Sequence, residues 1–283
     1  MEGTHVGESL LLTVGLFGSS GCIGEALEIA IKRLPNVMLK AFGSARDSEI
    51  IDHYLKTKNF FDVVIYCSEI SDKRVVNSLD RTYIGELGGY IDNVLKVGRK
   101  LIYLSSSDVY MASSGLLSED SPVVADSFYS EVKLFMESKV LENGGIVLRL
   151  PTVIGCRNRS GGILAEIDSK IRKDAPNFQN ASYLVDVILK QNLVSIICQM
   201  LYRDICGIYN CGGGFGGISI RDLVKVRKCH ISGSVPPAFN ITSIEDQAIG
   251  KVMDNRKIIQ VLGFRFPITR AVEIFSELRG TLV

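Results

Sequence analysis

Leu10-Leu11-Leu12-Thr13-Val14-Gly15-Leu16-Phe17-Gly18-Ser19-Ser20-Gly21-Cys22-Ile23-Gly24 is the stretch on which the reading of the whole chain turns. Leu10 to Phe17 is a continuous apolar run, as a strand covered on both faces requires. Gly18, Gly21 and Gly24 follow at regular spacing, and an amphipathic segment then runs to Leu34-Pro35. Strand, glycine turn and helix in that order set a tight backbone turn against the amide-rich start of a helix, where phosphate charge is favoured. This is the opening of a dinucleotide-binding fold, with Gly18, Ser19, Ser20, Gly21, Cys22, Ile23 and Gly24 around the pyrophosphate. The G-x-x-G-x-x-G spacing is one residue longer in its first interval than the commonest dehydrogenase form.

Outward from this turn, strand and helix patterns alternate. Strands are expected at Val37 to Phe42, Phe61 to Cys67, Lys100 to Leu104 and Gly145 to Leu150. Helices are expected at Ser48 to Lys58, at Val75 to Val97 with a bend at Gly85 or Gly88-Gly89, and at Asp126 to Gly144. The alternation predicts an α/β fold, a doubly wound parallel (Rossmann) sheet with a small C-terminal substrate lobe. Residues 1–155 form the dinucleotide-binding domain, with 183–211 returning to the sheet, and 156–182 with 212–283 form the lobe. Tyr183 to Tyr202 reads as a helix, Ile208 to Cys211 as a strand, and Gly212 to Gly217 as a flexible substrate-side or linker loop. Ile220 to Val226 and Asn255 to Leu262 read as short helices.

Composition narrows the function classes. The chain has 283 residues, 46% hydrophobic and 22% charged, which is enough for a sizeable core. A net charge of +1 gives no electrostatic case for a nucleic-acid or membrane partner. No apolar run reaches the roughly 18 residues of a membrane span. Glu2 and Glu8 precede Leu10 without a basic cluster, so no signal peptide is expected and the setting reads as cytoplasmic. The seven cysteines form no C-x-x-C pair and are expected as buried reduced thiols. Three histidines far apart in sequence offer no metal site.

Candidate chemistry lies further along. Tyr129 and Lys133 are four apart and share one helix face. A phenol ionises near pH 10, roughly, and a neighbouring ammonium favours the phenolate, which makes the tyrosine usable as an acid/base. Tyr and Lys at this spacing also decorate many solvated helices. The fourth strand empties into Ser105-Ser106-Ser107-Asp108, at the carboxyl end where ligands collect in parallel sheets. At the tip of the second strand, where an acidic residue usually holds the ribose of NAD, stand Gly43 and Ser44 with Arg46 close behind. A guanidinium suits a 2′-phosphate, which leans the cofactor to NADP; Asp47 keeps NAD open, and Arg46 also reads as an ordinary solvated loop residue.

Gly18-x-x-Gly21-x-x-Gly24, Ser105-Ser106-Ser107-Asp108-Val109-Tyr110, Tyr129-x-x-x-Lys133, Leu148-Arg149-Leu150-Pro151-Thr152-Val153-Ile154-Gly155, Tyr183-Leu184-Val185-Asp186-Val187, Tyr209-Asn210 and Asp254-x-x-Lys257 with Leu262-Gly263-Phe264 follow one another along the chain. Together they resemble the extended short-chain dehydrogenase/reductase family, which contains the NAD-dependent sugar-nucleotide epimerases, dehydratases and reductases. The resemblance implies Tyr129 as acid/base, Lys133 on the nicotinamide ribose and Ser106 on the reacting oxygen. It implies Asp108 as a second proton carrier; the plain alternative for this residue is a cap or brace of the following turn. It also puts Cys67, Ser68 and Pro151 at the cofactor, and Ser107, Thr152, Arg157 and Arg159 at the substrate. Cys156 stands where the family usually has proline, Tyr66-Cys67-Ser68 where it has an H-L-A-A-like strand end, and Met111 where glycine is common.

The short link between the second and third strands is similar to that of the keto-sugar reductase branches, such as dTDP-4-dehydrorhamnose reductase and GDP-fucose synthase. The implied function is NADPH-dependent reduction of a nucleotide-linked 4-keto sugar in carbohydrate biosynthesis. The alternatives are an NAD-dependent 4-epimerase or dehydratase and, more remotely, a non-catalytic NADP-binding sensor. The implied assembly is a homodimer through a two-helix face.

Overall fold

The computed structural model describes residues 11–43, 48–57, 60–110, 115–156, 162–173, 178, 180–214, 216–232, 250–263 and 274. In chain order its elements are β1 (Leu12–Phe17), α1 (Cys22–Ile31), β2 (Val37–Phe42), α2 (Ser48–Thr57), β3 (Val63–Tyr66), α3 (Lys73–Asn77), α4 (Thr82–Val97) and β4 (Leu101–Ser106). Then come β5 (Gly115–Leu117), α5 (Phe128–Glu142), β6 (Ile146–Leu150), β7 (Thr152–Ile154), α6 (Gly162–Arg172), β8 (Leu184–Val185), β9 (Val187–Leu189) and α7 (Lys190–Met200). The last are β10 (Gly207–Asn210), β11 (Ile218–Ser219), α8 (Ile220–Ser232), β12 (Gly250–Met253) and α9 (Arg256–Leu262).

The expected doubly wound sheet is present. Six parallel strands stand in the order β10-β6-β4-β3-β1-β2. Alternate side chains on each strand enter opposite cores, as a sheet with helices on both faces demands. Leu16, Ile65, Ile102 and Leu148 pack on one face with Leu27, Leu193 and Ile197. Phe17, Val64, Tyr103 and Val147 pack on the other with Ile91, Met136 and Val140. The order runs 2-1-3 at its β2 end, because the short link after β2 carries α2 and no further strand among the described residues. The strand order therefore reverses between β1 and β3, and a ligand crevice belongs at their carboxyl ends.

A second sheet, β11-β8-β12-β5, and the pair β7-β9 are separate from it. Strand β5 comes from the middle of the chain, where the sequence had shown no strand. Three further expectations change. The Val75 to Val97 helix breaks before its glycines: Asp72 caps α3 through the N–H of Arg74, and Asp80 accepts from the N–H of Thr82 to start α4. Gly88 stays helical and lets α5 approach, since a Cβ there would lie 3.1 Å from the ring of Phe135. The first third of the Tyr183 to Tyr202 segment is strand, because Val187–Leu189 pairs with Thr152–Ile154. The Gly212 turn is tied down: its N–H donates to Asn255 at 2.7 Å, and the N–H of Gly213 donates to Asp186 at 3.0 Å. No helix among the described residues is long and apolar enough to cross a membrane.

Helix α5 begins with a cap, Ser127 and Ser130 exchanging hydrogen bonds, and Gly144 follows its end at φ +66°. Its inner face carries Glu137, buried against Arg149 of β6 at 2.7 Å, with Ser105 donating to the same carboxylate at 2.5 Å. The Arg149 guanidinium also covers the ring of Tyr110, whose hydroxyl donates to Asn210 at 2.5 Å. Four motif residues and Glu137 thus form one buried polar network beneath the crevice. Removing one partner of a buried pair leaves an uncompensated charge. Arg149→Leu is expected to cost about 3–5 kcal/mol in urea unfolding, and Arg149→Leu with Glu137→Leu much less. Equal losses in the single and double variants would refute this.

Candidate active site

The crevice is a cavity of about 570 Å³, a usual size for a small-molecule site. One wall is the glycine turn. Gly18 has φ +97°, and a Cβ there would lie 2.6 Å from the carbonyl oxygen of Cys67. A Cβ at Gly24 would collide with the carbonyl oxygen of Gly18. Both glycines are therefore needed for α1 to start this close to β1 and β3. The N–H groups of Gly18 and Ser19 donate to Phe42 at 2.9 and 3.0 Å, and the Ser20 hydroxyl to Gly43 at 2.5 Å. These three residues fasten the turn to β2 rather than line the cavity. Gly21, Cys22, Ile23 and Gly24 do line it. They bring the first-turn N–H groups and the positive end of the helix dipole to the cavity wall.

Ser106, Ser107, Asp108, Tyr129 and Lys133 line the cavity too, as do Pro151 and Thr152, while Cys67 lines it beside the glycine turn. The geometry therefore brings most of the sequence-derived site residues around one space. Ser68 does not line it. Ser44, Arg46, Arg157 and Arg159 lie outside the described residues, as do Asp47 and Met111. Lys133 is buried, its ammonium 5.7 Å from the centre of the Tyr129 ring. Nζ donates to Glu69 Oε2 at 2.5 Å and to the carbonyl of Leu104 at 3.1 Å. Burial alone would pull this lysine down, but the Glu69 carboxylate outweighs it and holds the ammonium above its ordinary pKa.

Ser106 receives the N–H of Asp108 at 3.2 Å and its hydroxyl donates to Asp108 Oδ2 at 3.2 Å. Ser106, not Asp108, is thus the cap of the short 3-10 turn that follows β4. The Asp108 carboxylate is instead ion-paired with Lys73 and borders the cavity. Burial pushes the Cys67 thiol up to about 12, which keeps it protonated.

Sequence reasoning missed Glu69, Lys73, Tyr183, Asp186 and Lys251, all of which border the cavity. Glu69 had a signal, an acidic residue just past a fully apolar strand. Lys73 and Lys251 had none, because their elements converge only in three dimensions. Asp186 lies in the quoted Tyr183 to Val187 motif. Burial raises its carboxyl to about 7, although the backbone N–H groups of Gly213, Met253 and Val187 all point at it. Among the described residues no group of three His, Cys, Asp or Glu could hold a metal ion.

One expectation is overturned. Cys22 and Cys156 form a disulfide between the glycine turn and the loop after β7, across 134 residues of sequence. The turn lies against that loop in space, which the absence of a C-x-x-C pair does not reveal. Reduced thiols therefore no longer argue for a cytoplasmic setting.

No protein-family model and no curated protein sequence matches the chain. Solved structures match it over nearly its full length. The RMD protein of Pseudomonas aeruginosa, complexed with NADPH, is 16% identical with a TM-score of 0.72, over 97% of this chain and 98% of that one. UDP-glucuronic acid 4-epimerase from Bacillus cereus, in complex with UDP-glucuronic acid and NAD, is 18% identical with a TM-score of 0.71, over 95% and 98%. ADP-L-glycero-D-manno-heptose-6-epimerase of Helicobacter pylori is 17% identical with a TM-score of 0.71, over 96% and 95%. The likeness is one of fold.

Five cysteines lie outside the disulfide and two form it, so thiol titration in denaturant is expected to find five groups before reduction and seven after. Cys156→Ser is expected to lower stability by about 2–4 kcal/mol, because the bridge closes a long loop. Seven reactive thiols before reduction would contradict the pairing.

Proposed function

We propose that the protein is an NAD(P)-dependent oxidoreductase of the extended short-chain dehydrogenase/reductase type, acting on a nucleotide-linked sugar. Its first reaction in this reading is NADPH-dependent reduction of a 4-keto group. The observation that carries the proposal is a single cavity reaching from the start of α1 to Ser106, Tyr129 and Lys133. The residues fit a dinucleotide: Gly18 and Gly24 let α1 start close against the ends of β1 and β3, and the amides of Cys22, Ile23 and Gly24 at the cavity wall suit a pyrophosphate. A bound reduced nicotinamide supplies the hydride to the carbonyl carbon.

The protein's own groups do the rest. Tyr129 gives the proton to the carbonyl oxygen, and the Ser106 hydroxyl turns from Asp108 to donate to the same oxygen. Lys133 keeps a positive charge beside the tyrosine ring throughout. Arg46 supports NADP over NAD, and Arg157 and Arg159 are assigned to the substrate diphosphate by the family resemblance. Carbohydrate biosynthesis in the cytoplasm by a homodimer belongs to the same reading, supported by that resemblance and the sequence reading.

A specific observation favours a second reading, an NAD-dependent 4-epimerase or dehydratase. Asp108 lies in the cavity, hydrogen-bonded to Ser106 and paired with Lys73, where a carboxylate can move a second proton. The UDP-glucuronic acid 4-epimerase of the same fold is in complex with NAD.

Mixing the protein with NADPH and dTDP-, UDP- or GDP-linked 4-keto sugars tests both. The reductase consumes NADPH, seen as loss of the reduced nicotinamide absorbance. The epimerase interconverts sugars with NAD and without net consumption. Tyr129→Phe is expected to lower either activity by about 10²–10⁴-fold. An activity that survives this change intact would contradict the mechanism, and a binding protein without any activity would support the sensor.

A further inference from the structure

Two residues of the cavity wall are joined by a covalent bond that the proposed reaction does not use. Cys22, the first residue of α1, and Cys156, just past β7, both line the cavity and together form the disulfide. Hydrogen bonds from Gly18, Ser19 and Ser20 fasten the glycine turn to the end of β2. The disulfide fastens its next part, where Cys22, Ile23 and Gly24 meet the cavity, to the chain that leaves β7. Cys156 stands where the family it resembles usually has proline, so this bridge is not part of that family's pattern.

Position decides what can open the bond. A disulfide is broken by a thiolate that attacks one of its sulfurs. Cys67, outside the disulfide, shares the cavity, but burial raises its thiol to about 12 and keeps it protonated. A thiolate supplied from outside is therefore needed, and the cavity gives it a way in. A dinucleotide with its pyrophosphate on the amides of α1 fills that same space.

We propose that the Cys22–Cys156 disulfide is a redox-modification site that controls dinucleotide binding: a dithiol reductant opens it through the cavity, and the reduced protein binds the dinucleotide more weakly. The inference rests on the dinucleotide reading given above. In the exchange, one thiolate of the reductant bonds to one sulfur of the bridge, and the other sulfur leaves as a thiolate. The second thiolate of the reductant then displaces the first protein sulfur. Cys22 and Cys156 end as two protonated thiols, and the reductant, having given up two electrons and two protons, leaves as a disulfide. Affinity falls because the bridge holds the first turn of α1 in place before a ligand arrives, and without it binding must also order that turn. By reciprocity, bound dinucleotide makes the bridge harder to reduce by the same factor.

NADPH titrations of the oxidised protein, of the protein reduced by dithiothreitol, and of Cys156→Ser test this. Alkylation and mass spectrometry of the Cys22 and Cys156 peptides report the state of the bridge. The expected result is an affinity about fivefold or more lower in the reduced protein, with circular dichroism unchanged. Cys156→Ser is expected to show the same lowered affinity with or without dithiothreitol. In mixtures of reduced and oxidised dithiothreitol, saturating NADPH is expected to raise the ratio that opens half the bridges by that same factor. This last measurement needs no variant and serves if Cys156→Ser fails to fold. Equal NADPH affinity of the two forms, with a midpoint that NADPH does not move, would overturn the proposal and leave the dinucleotide reading intact. So would a reduced form that binds more tightly, a Cys156→Ser protein that still responds to dithiothreitol, or a reduced form that unfolds and thereby marks the bridge as structural. A protein that binds NADPH in neither form would fail the dinucleotide reading itself, and this proposal with it.

Discussion

The close approach of α1 to the ends of β1 and β3 is the constraint on which the rest of this molecule depends. It exists because Gly24 can lie against the carbonyl of Gly18, and Gly18, at φ +97°, against the carbonyl of Cys67. Any side chain at either position would push the helix away from the sheet. With the helix held in, its unpaired first-turn amides meet the crevice at the one place where the strand order reverses. The Cys22–Cys156 bridge fastens the same turn to the loop after β7.

From that anchor the cavity extends to a second, differently built end. There the polar groups are arranged in depth. Arg149, Glu137 and Ser105 close a buried network under β4 and β6, which holds the strand end carrying Ser106 and the helix carrying Tyr129 in fixed relation. Above it, Glu69 and the Leu104 carbonyl hold Lys133 charged despite its burial. The amide-rich start of α1 and the Glu69–Lys133 ion pair face one space.

Much of this was legible in the sequence, and for identifiable reasons. The apolar run before Gly18, the glycine spacing and the strand–helix alternation are local signals, and they carried the sheet and the tight glycine turn correctly. Tyr129 and Lys133 were readable because helical spacing alone puts them on one face. The break before α4 was misplaced because Asp72 and Asp80, as caps, outweigh glycines that the packing against Phe135 keeps helical. Strands β5, β8 and β9 were invisible, being two or three residues long and defined by partners distant in sequence. The disulfide and the Glu69–Lys133 pair, separated by 134 and 64 residues, belong to the same class. Contacts of that kind are set by topology, and no short motif announces them.

The central claim is that one dinucleotide spans both ends of the cavity. A crystal structure of the protein with NADPH tests it most directly. The account expects the pyrophosphate on the backbone N–H groups of Cys22, Ile23 and Gly24, and the nicotinamide ring beside Tyr129 and Ser106. A dinucleotide bound elsewhere on the surface, or a cavity left empty at saturating NADPH, would contradict it.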